Sequence, residues 1–328
     1  MLIHLDDDTI AELVAPCDAR RAVASAFVAW GEGRAATTQR VRAVLPERGD
    51  LPASMASAMA AVVEPYCGGK VYATRSGRFT FVIVLFDVDG RLLCTLDGDV
   101  ITRLRTPPTS GLSIEHLAVP DAHVAALVGT GRQSWPHLQM LADEMAHLTE
   151  LRVAGRSPNE VADLVARARA LDIPAVAASS INAAVDGAQV VVTVTSATTP
   201  LFGADVVGDD TLICAIGATK YDRVEIGADV VARCRAVVCD DVVGSKVECG
   251  DLIAAVAVDA FCWDDAVELC DLAAGIVEVP RAGDGPVLFE SQGVAISDVA
   301  LAALAWECHL AQSDDMQPDD MVPGTVSS

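Results

Sequence analysis

Lysine is nearly missing from this 328-residue chain: Lys70, Lys220 and Lys246 are the only three, so arginine supplies 20 of the 23 basic residues. Positive charge as a whole is scarce. Acidic residues outnumber basic ones 46 to 23, and a formal net charge of −23 repels a nucleic-acid backbone or an anionic bilayer face. Neither nucleic acid nor membrane is expected as a partner. No apolar run approaches the roughly 18 residues that a membrane span needs. The opening MLIHLDDDTIAELV has no basic segment ahead of its apolar residues, which argues against a secretory signal and for a cytoplasmic location. The ten cysteines include no C-x-x-C pair and are expected to be free thiols, most of them buried. No zinc-ligand spacing and no G-x-S-x-G element occurs, so metal and serine-hydrolase chemistry have no support.

What is present is apolar material, 52% of residues against 21% charged, enough for large buried cores. The first third mixes elements. CDARRAVASAFVAWGEG is an amphipathic helix with Val23, Phe27 and Trp30 on one side, closed by Gly31 and Gly33. RVRAVL, GGKVYAT, RFTFVIVLFD and RLLCTL follow as strands of an antiparallel or mixed sheet, with DVDG as a turn. From about Asp121 the rhythm changes to strand and helix in alternation. HVAALV, ELRVAG, IPAVAA, AQVVVTVT, TLICAIG and AVVCD are short Val/Ala/Ile-rich runs, the first of them separated by helical stretches such as SPNEVADLVARARAL. That alternation predicts a Rossmann-type, doubly wound parallel sheet covered on both faces. GVAISDVALAALAWECHL reads as a strong helix with Ile296, Val299, Leu301 and Leu304 available for burial, returning to the N-terminal part. The expected division is therefore residues 1–118, 119–292, a returning helix at 293–312, and a disordered tail at 313–328 rich in Asp, Pro, Gly and Ser.

At the start of the alternating region HVAALV stops at GTGRQS. Gly129 and Gly131 fill the first two places of G-x-G-x-x-G/A, and Ser134 is a small residue in the third. Strand, glycine turn and helix N-terminus make a cradle for a pyrophosphate, with Gly129, Thr130, Gly131, Arg132 and Gln133 around it. The next strand ends in Gly155, Arg156 and Ser157, where an NAD-preferring site usually carries an acid for the ribose hydroxyl. An arginine and a hydroxyl there suit a 2′-phosphate, so NADP(H) is favoured and NAD(H) is the alternative. Thr195, Ser196, Gly217, Ala218 and Thr219 follow two further strands and are candidates for the nicotinamide and ribose pocket, although small residues also simply close loops.

Taken together, LDDDTI, GGKVYAT, LFDVDGRLLCTLDGDVITRLRT, ALVGTGRQSWPHL, VVTVTSATTPLF, AIGATKYDRVEI, ECGDLI and LFESQGVAISDVALAALAWE resemble the ornithine cyclodeaminase/mu-crystallin family, in order and over nearly the whole chain. The resemblance implies a homodimer whose α+β dimerisation and substrate domain combines the N-terminal part with the last helix, beside the dinucleotide-binding domain. It also implies three residues for a substrate carboxylate: Arg40, with Arg42 on the same strand face as the competing register, then Lys70 in GGKVYAT and Arg105 in RLRT. Read without the family, Arg40 and Arg42 are equally well solvated strand residues, and Arg105 has Asp97 or Asp99 for a partner. Pro107 and Pro108 depart from the pattern, with Thr106 expected to cap a helix starting at Pro107 and facing the cofactor phosphates.

The reaction follows from a missing carboxylate. Family members that cyclise ornithine carry an aspartate after the strand read here as AIGATK, and this sequence has Thr219 there, which takes up no proton near neutral pH. The expectation is therefore an NAD(P)H-dependent reductase of cyclic or linear α-imino acids, of the ketimine or pyrroline-2-carboxylate type, giving an amino acid such as proline. Arg40, Lys70 and Arg105 hold the carboxylate and thereby aim the C=N carbon, with Lys70 or water as proton source. The alternatives are an ornithine cyclodeaminase, an amino-acid dehydrogenase, or a mu-crystallin-like binding protein for small carboxylates.

Overall fold

The computed structural model describes residues 2–49, 51–76 and 78–315. Its first sheet contains β1 (Ile3–Leu5), β2 (Ala35–Thr37), β3 (Val41–Leu45), β4 (Ser54–Val63), β5 (Tyr66–Arg75), β6 (Arg78–Asp87) and β7 (Leu92–Asp97), in the order β1-β7-β6-β5-β4-β2 with β3 also paired to β4. All pairings are antiparallel except β1 with β7. Strand periodicity decides which side chains face inward. Met59, Lys70 and Ile83 sit side by side across β4, β5 and β6, all buried, while their neighbours Ala58, Val71 and Val82 point the other way.

The helices of this half are α1 (Asp7–Leu13), α2 (Pro16–Gly31) and α3 (Asp99–Leu117). In α2 the predicted stripe is buried at Val23 and Phe27, and Trp30 packs against the same core. The structure moves the start of α3. The helix begins after Gly98, and its first-turn amide of Val100 donates to Asp7 Oδ1 at 2.8 Å. Thr106 is therefore an interior residue, donating its hydroxyl to the Thr102 carbonyl at 2.8 Å, and Pro107 and Pro108 lie inside the helix. The expected cap at Thr106, with a helix N-terminus facing the phosphates, is wrong. Two prolines deny α3 the bonds to the carbonyls of Arg103 and Leu104. Burial against α2 and against the helices introduced below offsets that loss, because the segment is closed from Arg105 to Ile114.

The second sheet holds β8 (Val124–Val128), β9 (Glu150–Ala154), β10 (Ala175–Ala177), β11 (Val190–Thr193), β12 (Leu212–Ala215), β13 (Ala236–Cys239), β14 (Ala266–Glu268) and β15 (Val287–Glu290). All eight are parallel, in the order β10-β9-β8-β11-β12-β15-β13-β14. Every residue of β11, β12 and β15 is buried, as a sheet covered on both faces demands. Each Val, Leu or Ile so removed from water contributes roughly 1.5–3 kcal/mol. The chain steps outward from β8 through β10, then returns to the other side of β8 with β11, so strand order reverses between β8 and β11. Ligands of such sheets bind beyond the strand ends at that point.

The covering helices are α4 (Ser134–Glu144), α5 (Pro158–Arg169), α6 (Ile181–Val185), α7 (Ala228–Arg233), α8 (Val242–Glu248), α9 (Gly250–Val256), α10 (Leu269–Ala273) and α11 (Ala295–Asp315). The last helix buries Ile296, Val299 and Leu301, leaves Leu304 partly covered, and packs on α2, α3 and the inner face of β4, β5 and β6. It runs to Asp315, so residues 313–315 are helical where a disordered tail was expected; the rest of that tail, 316–328, lies outside the described residues. All ten cysteines are free, but only Cys94, Cys214, Cys239, Cys249 and Cys270 are buried, fewer than expected. Among the described residues no helix is long and apolar enough to cross a membrane.

Candidate active site

A cleft of about 1060 Å³ opens at the strand-order reversal. Gly129 leaves β8 with φ +125°, and a side chain there would meet the Val194 carbonyl after β11 at 2.7 Å. Only glycine suits that crossing. Gly131 faces open space, where a Cβ would meet nothing within 4 Å, so its backbone is approachable by a phosphate. Thr130, Arg132 and Gln133 complete this wall, and Gly155, Arg156, Ser157, Thr195, Ser196, Gly217 and Thr219 line the cleft as well. Two expected residues do not. Ala218 is fully buried, and Thr106 lies behind the glycine turn, where its hydroxyl accepts from Gln133 Nε2 at 3.3 Å.

Charges at the cleft are arranged unevenly. Arg132 pairs with Asp99, whereas exposed Arg156 has no ion pair among the described residues. Glu160 also lines the cleft, its Oε2 accepting from Thr130 Oγ1 at 2.6 Å. Beneath the floor, fully buried Glu225 accepts from Thr193 Oγ1 at 2.8 Å and from the amides of Thr195 and Gly217 at 2.6 and 2.7 Å. Burial pushes the Glu225 pKa up and these donors pull it back, so one carboxyl ties together two loops of the cleft wall.

Arg40, Lys70 and Arg105 do not line the cleft; they form a buried cluster beside it. Lys70 reaches inward from β5 and donates to Asp298 Oδ1 at 2.7 Å, with the Phe81 ring centroid 5.6 Å from its ammonium. Burial lowers its pKa to about 8, Asp298 opposing and Arg105 reinforcing that shift. Arg105 Nε lies 3.5 Å from the same Asp298 oxygen. Arg40 joins from the other side, bonded to Glu248 Oε2 at 2.7 Å and donating to the carbonyls of Gln292 and Gly293 at 2.9 Å each. Arg42 shares Glu248 and donates to the Thr219 carbonyl on the cleft wall at 3.2 Å. Both registers considered for β3 thus reach the cluster. Neither Asp97 nor Asp99 pairs with Arg105: Asp97 faces His4 and Asp99 takes Arg103 and Arg132.

The acidic members of this cluster are the part that sequence reasoning missed. Asp298 stands in the first turn of α11 and Glu248 ends α8, and between them these two carboxylates pair with four cations. Asp240 is a third. Its carboxylate accepts from Ser291 Oγ and Gly293 N at 2.7 Å each and from Gln292 N at 3.2 Å, fixing the loop on which Arg40 and Arg105 rest. The available signal was an acid set in an otherwise apolar helix, in AISDVALAALAW, and an aspartate at the end of an apolar strand, in AVVCD.

The arrangement pairs a dinucleotide-sized cleft with a cation-rich cluster built from β3, β5, α3 and α11. The ornithine cyclodeaminase/mu-crystallin family model matches residues 2–313. Delta(1)-pyrroline-2-carboxylate reductase 2 of Burkholderia ambifaria is 34% identical over 66% of this chain, and the aligned stretch spans 66% of that relative, just under two thirds. The structure of a probable ornithine cyclodeaminase from Bordetella pertussis Tohama I is 34% identical with a TM-score of 0.87, covering 96% of this chain and 99% of that one. The Thermococcus litoralis Delta(1)-pyrroline-2-carboxylate reductase, in complex with NADH and L-proline, shares the fold at 22% identity and a TM-score of 0.87, over 95% of this chain and 98% of that one. With its family match running almost from end to end, the chain belongs to the ornithine cyclodeaminase/mu-crystallin family.

Proposed function

We propose that this protein is an NAD(P)H-dependent reductase that converts an α-imino acid of the ketimine or pyrroline-2-carboxylate type into the corresponding amino acid. The observation that carries the reading is Arg105. Its side chain is 9% exposed, yet it donates no hydrogen bond to any described residue, and its Nε is closed to solvent. A nearly buried cation with idle donors is costly unless an anion completes it. A substrate carboxylate does so, held bidentately by Arg105 with Lys70 and Arg40 adding charge. Held in that way, the carbon next to the carboxylate has one orientation, which positions it for hydride transfer.

The glycine turn fits a dinucleotide because Gly131 leaves its backbone open and Gly129 alone permits the crossing under Val194. Bound there, the reduced nicotinamide supplies a hydride. NADP(H) is the favoured cofactor because Arg156 is exposed and has no ion pair among the described residues, ready for a 2′-phosphate. Thr219 supports reduction over cyclodeamination: it presents a backbone carbonyl to Arg42 and has no carboxyl to offer a substrate amine. Residues 1–118 with the helix at 293–312 serve as substrate and dimerisation part, and residues 119–292 as cofactor part. Exposed Val41, Leu45, Val62, Val71 and Val82 give the outer face of the first sheet the apolar character of a homodimer contact. Ten free thiols suit a reducing, cytoplasmic setting.

The test is consumption of NADPH and of NADH with pyrroline-2-carboxylate, piperideine-2-carboxylate, and pyruvate plus an amine, repeated with Arg105→Ala. Reduction of an imino acid that Arg105→Ala abolishes is the expected result. No oxidation with any of them, by a protein that binds cofactor, overturns the reading.

A further inference from the structure

Asp298 has two oxygens with different fates. Oδ1 accepts from Lys70 at 2.7 Å and lies 3.5 Å from Arg105 Nε, whereas Oδ2 is buried without a donor among the described residues. Asp298 stands in the first turn of α11 with Lys70 and Arg105 beside it. A buried acceptor left without a donor costs roughly 1–3 kcal/mol. Idle acceptor and idle donor therefore stand side by side: Oδ2 of Asp298, and the guanidinium of Arg105. The shortest approach of the two side chains is between Nε and Oδ1, at 3.5 Å.

That pair is complementary to a ligand in which a carboxylate and an N–H sit on one carbon. Resting on the proposed reductase reading, we propose that Asp298 is a further catalytic residue: Oδ2 accepts the hydrogen bond of the substrate's protonated imine nitrogen while Arg105 holds the carboxylate. The imine is then bound as its iminium. Hydride adds to the carbon, the electrons of the C=N bond withdraw to nitrogen, and the product is the amine with its proton in place, so no further proton donor is required. Lys70 is a positioning residue in this scheme, because its ammonium occupies Oδ1 and turns Oδ2 toward the ligand.

The scheme also sets specificity. A 2-oxo acid presents a carbonyl oxygen where the imine presents N–H, and two acceptors then face each other across the Asp298 contact. The geometry assigns the site to imines and selects against 2-oxo acids of the same shape.

Two planar carboxylates of equal size test this in the unaltered protein: pyrrole-2-carboxylate offers a ring N–H, furan-2-carboxylate a ring oxygen. Their competition against the imino substrate is measured at saturating NADPH, with wild type and Asp298→Asn. Pyrrole-2-carboxylate is expected to bind at least about tenfold tighter in wild type, the worth of one hydrogen bond to a charged group. In Asp298→Asn that ratio is expected to fall toward one, because the amide offers furan a donor. Equal inhibition within about twofold in wild type, or a ratio that Asp298→Asn leaves unchanged, overturns the assignment. If imines are reduced but the two carboxylates do not differ, Asp298 alone is wrongly assigned; if no imine is reduced and neither carboxylate competes, the reductase reading itself fails.

Discussion

Gly293 lies directly against Arg105: a Cβ placed on this glycine would stand 2.7 Å from Nη1 and 2.9 Å from Nη2, and its φ of +84° is one that side chains resist. The loop before α11 thus forms the seat of the guanidinium, and Asp240 holds that seat through the Gly293 amide. Gly293→Ala is expected to displace Arg105 and to lower kcat/KM for the imino acid about a hundredfold, while the KM for NADPH changes less than about threefold. Steady-state kinetics with each substrate varied in turn checks this. A variant with unaltered imino-acid kinetics removes Arg105 from the site.

Lys70 sets the pH range. Burial, reinforced by Arg105, lowers its pKa from 10.5 to about 8, so the ammonium is present below that pH and lost above it. Losing it removes charge from the carboxylate site. The KM for the imino acid is therefore expected to rise as pH passes about 8, and to stay flat from there down to pH about 7. Lys70→Arg keeps its charge throughout and is expected to abolish the rise. A KM that is level up to pH about 10 in wild type contradicts the assignment.

Much of this architecture is legible in the sequence. The glycine turn and the buried strands around it follow from local pattern, since apolar runs and glycine spacing are local quantities, whereas Lys70 was singled out by the family resemblance. β4 escaped because SMASAMAAVV is alanine-rich and weak in strand preference. β15 escaped for another reason: it enters between β12 and β13, a pairing between segments far apart in the chain. The start of α3 is fixed by Asp7, distant in sequence, so Thr106 with two following prolines looked like the better beginning. Asp298 was hidden in plain view, because an acid in a helix's first turn is ordinarily a surface residue favoured by the dipole. Only packing against β5 shows that it meets Lys70.

Two glycines of one motif are expected to fail differently. Gly129→Ala puts a side chain 2.7 Å from the Val194 carbonyl at φ +125° and is expected to destabilise the fold by roughly 1–3 kcal/mol. Gly131→Val enters open space, so its thermal midpoint is expected to stay close to wild type. Its KM for NADPH is nonetheless expected to rise at least about tenfold, because the branched side chain covers the amides offered to phosphate. Thermal unfolding of both proteins without ligand, followed by cofactor titration, separates the two effects.

Arg156 is expected to decide the cofactor. Its exposed guanidinium, without an ion pair among the described residues, has a 2′-phosphate to bind in NADPH and nothing comparable in NADH. Arg156→Ala is expected to lower kcat/KM with NADPH by about ten- to a hundredfold and to leave NADH within about threefold, on the scale of one charge-assisted hydrogen bond. Equal losses with both cofactors place Arg156 elsewhere.

The outer face of the first sheet carries the last prediction. Val71 and Val82 are cross-strand partners pointing away from the core, 56% and 41% exposed, with Val41 and Val62 nearby on the same face at 64% and 42%. A two-fold contact uses each residue twice, once from either copy, so four valines count as eight. At about 1.5 kcal/mol for a fully buried valine, partial burial of such a set supplies several kcal/mol of association. Placing Asp at Val71 and Val82 opposes like charges across the axis and removes that apolar area. The double variant Val71→Asp/Val82→Asp is expected to sediment as a monomer at micromolar concentration where wild type sediments as a dimer, with cofactor binding retained because the glycine turn lies on the other sheet. Sedimentation velocity with a parallel NADPH titration decides it: a wild-type monomer, or a variant that stays dimeric, shows that this face is not the contact.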